Sequence, residues 1–138
     1  LSEPSAGIVG ERATATLTVT DGEAPTPQPP ADPGVVIGSG LGAGIVYVLN
    51  ADGTPRSGFL PYGPTMLMGV KVATADVTGD GVRDIVTAPG MYSSHIKVFD
   101  GATGAEVYSF FAFDPIFLLG VNIAAGDVTG DGQADILV

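Results

Sequence analysis

Cysteine and tryptophan are absent, histidine occurs once, and only five residues are basic against fifteen acidic ones. Without cysteine there is no disulfide framework and no thiolate metal site, which leaves either a reducing compartment or an extracellular protein braced by some other means. The five Lys and Arg are scattered singly in a chain of formal charge −10. A polyanionic backbone needs clustered cations, so nucleic acid is excluded as a partner. No run approaches eighteen apolar residues, so no transmembrane segment is expected. Leu1 is not followed by a basic stretch and an apolar core of the signal-peptide kind, and a start in mid-pattern reads as excision from something longer.

What is abundant is turn-forming. Twenty-one Gly and eleven Pro separate short runs rich in β-branched and aromatic residues, the pattern of many short strands joined by tight turns. A chain of 138 residues supports one moderate core or two small ones.

Three regions follow along the chain. Residues 1–20 end in Arg-Ala-Thr-Ala-Thr-Leu-Thr-Val-Thr, where Ala13, Ala15, Leu17 and Val19 alternate with threonines. This reads as an orphan strand, either the last of a preceding β domain or one that docks onto a neighbour. Residues 21–34 contain five prolines, which fix φ and remove backbone donors, so this segment is a stiff linker and the domain boundary. Residues 35–138 are a repeat. From Gly53 to Thr87 the chain matches Gly104 to Val138 at an offset of 51, with 15 of 35 positions identical. Among them are Phe59 with Phe110, Leu67 with Leu118, and Gly69-Val70 with Gly120-Val121. Upstream, Val46–Asn50 aligns with Ile96–Asp100 at an offset of 50, which places a one-residue insertion in the following turn.

One period is read as four strands: residues 70–75, 84–88, 95–99 and 106–113. A small antiparallel sheet recurring about every fifty residues is the unit of a β-propeller or a related array. The expected fold class is therefore all-β: a partial propeller with one complete four-stranded blade between two incomplete ones.

The strongest chemical signal is a nine-residue loop written twice, Asp76-Val77-Thr78-Gly79-Asp80-Gly81-Val82-Arg83-Asp84 and Asp127-Val128-Thr129-Gly130-Asp131-Gly132-Gln133-Ala134-Asp135. The glycines fold the chain tightly, so that Asp76, Asp80 and Asp84 converge from positions one, five and nine. Thr78 adds a hydroxyl from position three, and Val82 a carbonyl from position seven. Asp127, Thr129, Asp131, the Gln133 carbonyl and Asp135 repeat the set. Oxygen-only ligands with three carboxylates suit Ca²⁺, so two calcium sites are expected. No His or Cys lies in the loops, which argues against zinc or copper. An EF-hand would need Glu at position twelve and flanking helices. Thr87 and Val138 stand there instead. The competing reading is that Asp and Gly only make turns.

These loops, the strand after each, and Thr87-Ala88-Pro89-Gly90 resemble the FG-GAP repeat of integrin-alpha-type β-propellers. The segments Val98–Gly104 and Ser109–Asp114 are similar to the subtype found in bacterial surface and secreted proteins. The resemblance spans residues 35–138 and implies calcium at the loop aspartates. Thr78 and Thr129 depart from the usual Asn or Asp at position three, which bears on affinity. Residues 10–21 also resemble the terminal strand of a Calx-beta domain.

Other residues carry weaker signals. His95 opens the strand that runs on through Ile96 to Phe99 and is expected as a surface turn residue, not a catalytic one. Phe110, Phe111, Phe113 and Phe117 are expected to pack between repeats, as are Phe59, Leu60 and Tyr62. Gly38–Gly44 lacks the Lys-Ser/Thr of a phosphate loop and reads as a turn. No catalytic constellation is present. The expectation is a noncatalytic, calcium-stabilised segment of an exported, modular protein, extracellular or at the cell surface, serving adhesion, assembly or scaffolding. Its partners would be the remaining blades of the same protein or neighbouring subunits. The alternatives are a lectin-like or enzyme-associated carbohydrate-binding module, and a structural subunit fragment in a larger complex.

Overall fold

The computed structural model describes residues 32–138. The proposed orphan strand and most of the linker lie outside them. Among the described residues there are nine strands and no helix, so none is long and apolar enough to cross a membrane.

The strands form three antiparallel sheets, each built from neighbours in sequence. The first joins β1 (Val35–Gly38), β2 (Val46–Leu49) and β3 (Pro55–Phe59). The second joins β4 (Val70–Ala75), β5 (Asp84–Pro89), β6 (His95–Phe99) and β7 (Glu106–Phe111). The third pairs β8 (Ala124–Gly126) with β9 (Asp135–Leu137). The strands expected at 70–75, 84–88 and 95–99 form within one residue. The last ends at Phe111 rather than 113, because Ala112 N turns to the Ser94 carbonyl and Phe113 N to Ser94 Oγ.

The register repeats as closely as the sequence does. A bulge falls between Val48 and Leu49 in the first sheet and between Val98 and Phe99 in the second. The turn after it closes with Asn50 N to the Thr54 carbonyl in one repeat and Asp100 N to the Ala105 carbonyl in the other, both 2.9 Å. The second turn is longer by one residue, which accounts for the change of offset from 50 to 51.

The inner strands of the middle sheet are covered on both faces, while β7 at its outer edge is exposed. Ile85 and Phe99 pack with Val46, Val48 and Val70 toward the first sheet. Val86, Ala88, Ile96 and Val98 pack with Val77 and Val121, and the partly buried Ala125 and Ile136, toward the third. All six residues of β5 are therefore buried, as expected of a central strand covered on both sides. Across the first interface Phe59 meets Phe99 edge-on, with ring centroids 4.8 Å apart. Tyr62 crosses beside it, its hydroxyl 2.8 Å from the His95 carbonyl and 2.9 Å from that of Thr87. Burial pushes this phenol well above its ordinary pKa. Across the second interface Lys71 Nζ donates to the Val121 carbonyl and Asn122 Oδ1, at 2.7 and 2.9 Å.

Glycine is required where each connector crosses the turn of the sheet it leaves. A Cβ on Gly69 would overlap the Gly40 carbonyl, and one on Gly120 would overlap that of Gly90. Both glycines also hold positive φ, 72° and 71°.

One aromatic expectation needs correction. Phe110, Phe111 and Phe113 remain substantially exposed, because no further described sheet covers β7. Phe113 contacts Phe117, and Phe111 stacks on His95. His95 opens β6, as the strand expected at 95–99 has it, and its Nε2 lies 2.8 Å from Ser109 Oγ. We predict that Ile96→Ala, which empties a fully buried site, costs about 2–5 kcal/mol in urea unfolding. Phe110→Ala, on the outer strand, should cost less than about 1 kcal/mol.

Candidate metal centres

The first Asp loop joins β4 to β5, so its two end carboxylates are placed by paired strands. Ala75 and Asp84 are Cα partners in the ladder, and Asp76 follows directly. From there every backbone amide from Val77 to Val82 donates to a loop carboxylate. Asp84 Oδ2 takes Val77 N and Thr78 N at 2.8 Å. Asp76 Oδ1 takes Gly79 N at 2.7 Å and Asp80 N at 3.1 Å, and its Oδ2 takes Gly81 N at 2.8 Å. Asp80 Oδ1 takes Val82 N at 2.8 Å.

The second loop, between β8 and β9, repeats the scheme. Asp135 Oδ2 accepts from Val128 N and Thr129 N, Asp127 from Gly130 N and Gly132 N, and Asp131 Oδ1 from Gln133 N. Gly81 and Gly132 hold φ of 86° and 89°, the left-handed turn expected of them. The amides of Gly132 and Gly130 hold the Asp127 carboxyl below its ordinary range.

Asp84 carries the first loop's structural weight. It is fully buried, and its Oδ1 also accepts Gly101 N, 3.0 Å away in the β6–β7 turn. One carboxylate thus ties together the two connections at this end of the sheet. The loops also touch each other. Ala134 N donates to the Asp76 carbonyl at 2.9 Å, and Gln133 Nε2 donates to that of Val77. Arg83 points away from the carboxylates of its own loop, forming a two-pronged pair with Asp32 at 2.8–3.1 Å. That pair is half-exposed and contributes little to stability.

Among the described residues no three His, Cys, Asp or Glu are grouped closely enough to hold a metal ion by themselves. The carboxylates are spent, in part, on backbone amides. The donor set nonetheless fits a hard cation on one specific observation. Thr78 Oγ1, at the position expected to supply a hydroxyl, is buried and has no hydrogen-bond partner, alone among buried side-chain polar atoms of the described residues. Leaving such an oxygen unpaired costs about 1–3 kcal/mol. Arg83 is turned to Asp32, so its charge is directed away from Asp76, Asp80 and Asp84. A bound Ca²⁺ would supply the charge and satisfy the hydroxyl. It would be held by Asp76, Thr78, Asp80, Val82 and Asp84 in the first loop, and by Asp127, Thr129, Asp131, Gln133 and Asp135 in the second.

Gly101, Asp32 and the Gln133 side chain were not visible as loop partners in the sequence. Asp100-Gly101 signals a turn, but nothing local says that its amide meets a carboxylate seventeen residues earlier. No protein-family model matches the chain, and no solved structure matches it.

Asp84→Ala leaves three amides without their acceptor, one of them in another turn, and should cost about 3 kcal/mol or more in metal-free urea unfolding. The amides depress Asp127 in the folded chain, so the unfolded chain binds the proton more readily. Its contribution is complete above its ordinary value of 3.8 and is lost as pH falls through the lower folded value. In chelator, Asp127→Asn should therefore flatten the acid limb of a stability–pH curve, leaving the neutral limb's slope unchanged.

Proposed function

We propose that residues 35–138 are a calcium-stabilised, noncatalytic segment of a β-propeller in which the second sheet is a complete blade and the first and third are partial ones. The observation that carries the metal is Thr78 Oγ1, buried and unpaired inside a loop whose carboxylates face no cationic side chain of that loop. The two loops share one hydrogen-bonding scheme, which supports one role for both. The propeller reading is supported by sheets that follow one another with the same strand order, bulge and connector crossing.

In this reading the cation braces the first connection of a blade. Asp76 and Asp84 stand at the ends of neighbouring strands, so an ion between them holds β4 and β5 in register, and Asp127 and Asp135 do the same for β8 and β9. The Gly101 amide on Asp84 passes that bracing to the β6–β7 turn. Sites of this kind fill at Kd of about 10⁻⁴ to 10⁻³ M, the range of extracellular modules. The metal is then structural, and the protein is an exported or cell-surface scaffold serving adhesion or assembly. Its partners are the rest of a propeller or neighbouring subunits.

Thermal unfolding tests this. Millimolar calcium should raise Tm by several degrees over the same protein in chelator, as linkage requires of a ligand bound only by the folded state. Magnesium at equal concentration should do less. Asp80→Ala and Asp131→Ala should each remove part of the shift, and the double variant nearly all of it. A Tm indifferent to calcium and to chelator would reject the metal reading and leave the loops as turns.

A further inference from the structure

The second Asp loop donates two hydrogen bonds to the first. Ala134 N donates to the Asp76 carbonyl at 2.9 Å, and Gln133 Nε2 donates to the Val77 carbonyl. The two peptide groups that accept these bonds also hold the first loop's buried carboxylate, because their N–H groups, Val77 N and Thr78 N, both donate to Asp84 Oδ2 at 2.8 Å. Each is therefore pinned on both sides, by the second loop at its oxygen and by Asp84 at its nitrogen. A peptide group that accepts a bond at its carbonyl becomes a stronger donor at its N–H, so the second loop reinforces the hold on Asp84. The Val77–Thr78 peptide also leads directly to Thr78, whose Oγ1 is the buried, unpaired oxygen of the first loop.

The two loops share a motif and differ in cover. Val77 is 7% exposed, whereas the corresponding Val128 is 65% exposed. Ala134 packs against the cluster that contains Val77. The Gln133 side chain lies across Gly79, its Cδ 3.7 Å from where a Cβ on that glycine would stand, while the same point on Gly130 meets nothing within 4 Å among the described residues. At the place of Gln133 in the first loop stands Val82, whose side chain carries no donor. The first loop is thus closed by the repeat that follows it.

We propose that Gln133 is a positioning residue for the first metal centre, so that calcium binding at Asp76, Thr78, Asp80, Val82 and Asp84 draws on the docking of the third sheet against the second. Gln133 acts at one remove: its side-chain amide orients the Val77–Thr78 peptide, and that peptide orients Asp84 and Thr78. Its backbone carbonyl belongs to the second loop's own oxygen set, so replacing the side chain leaves that set in place. Linkage makes the effect reciprocal, and calcium in the first loop strengthens the docking of the two sheets. The inference rests on the calcium reading and adds to it that the first site is completed by the next repeat.

Calcium titration of the full, isotope-labelled chain tests this by NMR, with the Gly79 and Gly81 amides reporting the first loop and those of Gly130 and Gly132 the second. The first loop should bind more tightly than the second. Gln133→Met, which keeps the length of the side chain and removes its donor, should weaken the first loop about threefold to tenfold, the scale of one hydrogen bond, and leave the second loop's Kd in place. A purely local structural role would act on the second loop, where the substitution lies. The Gly101 amide, bonded to Asp84, reports whether the first loop is intact, and Gln133→Ala gives the same comparison should methionine disturb it. A first-loop Kd unchanged in these variants, or a second-loop Kd that moves as far as the first, would overturn the proposal and leave the calcium reading standing. If the glycine amides of neither loop respond to calcium, the calcium reading is overturned and this inference with it.

Discussion

A run of six backbone amides, Val77 to Val82, must be satisfied where the chain reverses between β4 and β5, and three aspartates satisfy it. The rest of the sheet depends on that exchange. Asp84 is buried because it is the acceptor for two of those amides and for Gly101, and β5 can run through the interior because its first polar residue is fully paired. The cost is electrostatic. Three carboxylates within nine residues repel one another, and Arg83 answers Asp32 instead. Amides offset part of that repulsion, and a divalent cation would offset the remainder while giving Thr78 Oγ1 the partner it lacks.

The same economy recurs at every level of the chain. Bulge, turn and connector crossing occupy corresponding places in the two repeats, so stability is assembled from one unit and its contact with the next. Tyr62 and Lys71 make that contact polar as well as apolar, each reaching from one repeat to backbone carbonyls of the following one. The two ends of the strands have then diverged: one concentrates carboxylates, and the other is largely apolar.

Much of this was legible in the residues. Strand limits followed from alternation and from the Gly and Pro between runs, and the one-residue shift of offset located the longer turn before any register was known. The aspartates of both loops were singled out by their spacing. What could not be read was what else they hold. Asp84 bonding Gly101, Arg83 bonding Asp32 and Gln133 bonding Val77 are contacts across 17, 51 and 56 residues, with no local periodicity to announce them. The exposed phenylalanines of β7 misled for a related reason, since a repeat pattern specifies that a face is apolar and says nothing about whether the next sheet is there to cover it.

The central claim is that a cation sits among the loop oxygens. Anomalous scattering from crystals grown in calcium addresses it most directly. The account predicts one calcium peak in each Asp loop, with Thr78 Oγ1 in the shell of the first. Both loops well ordered with no anomalous peak, and Thr78 Oγ1 bonded to water or backbone instead, would contradict it.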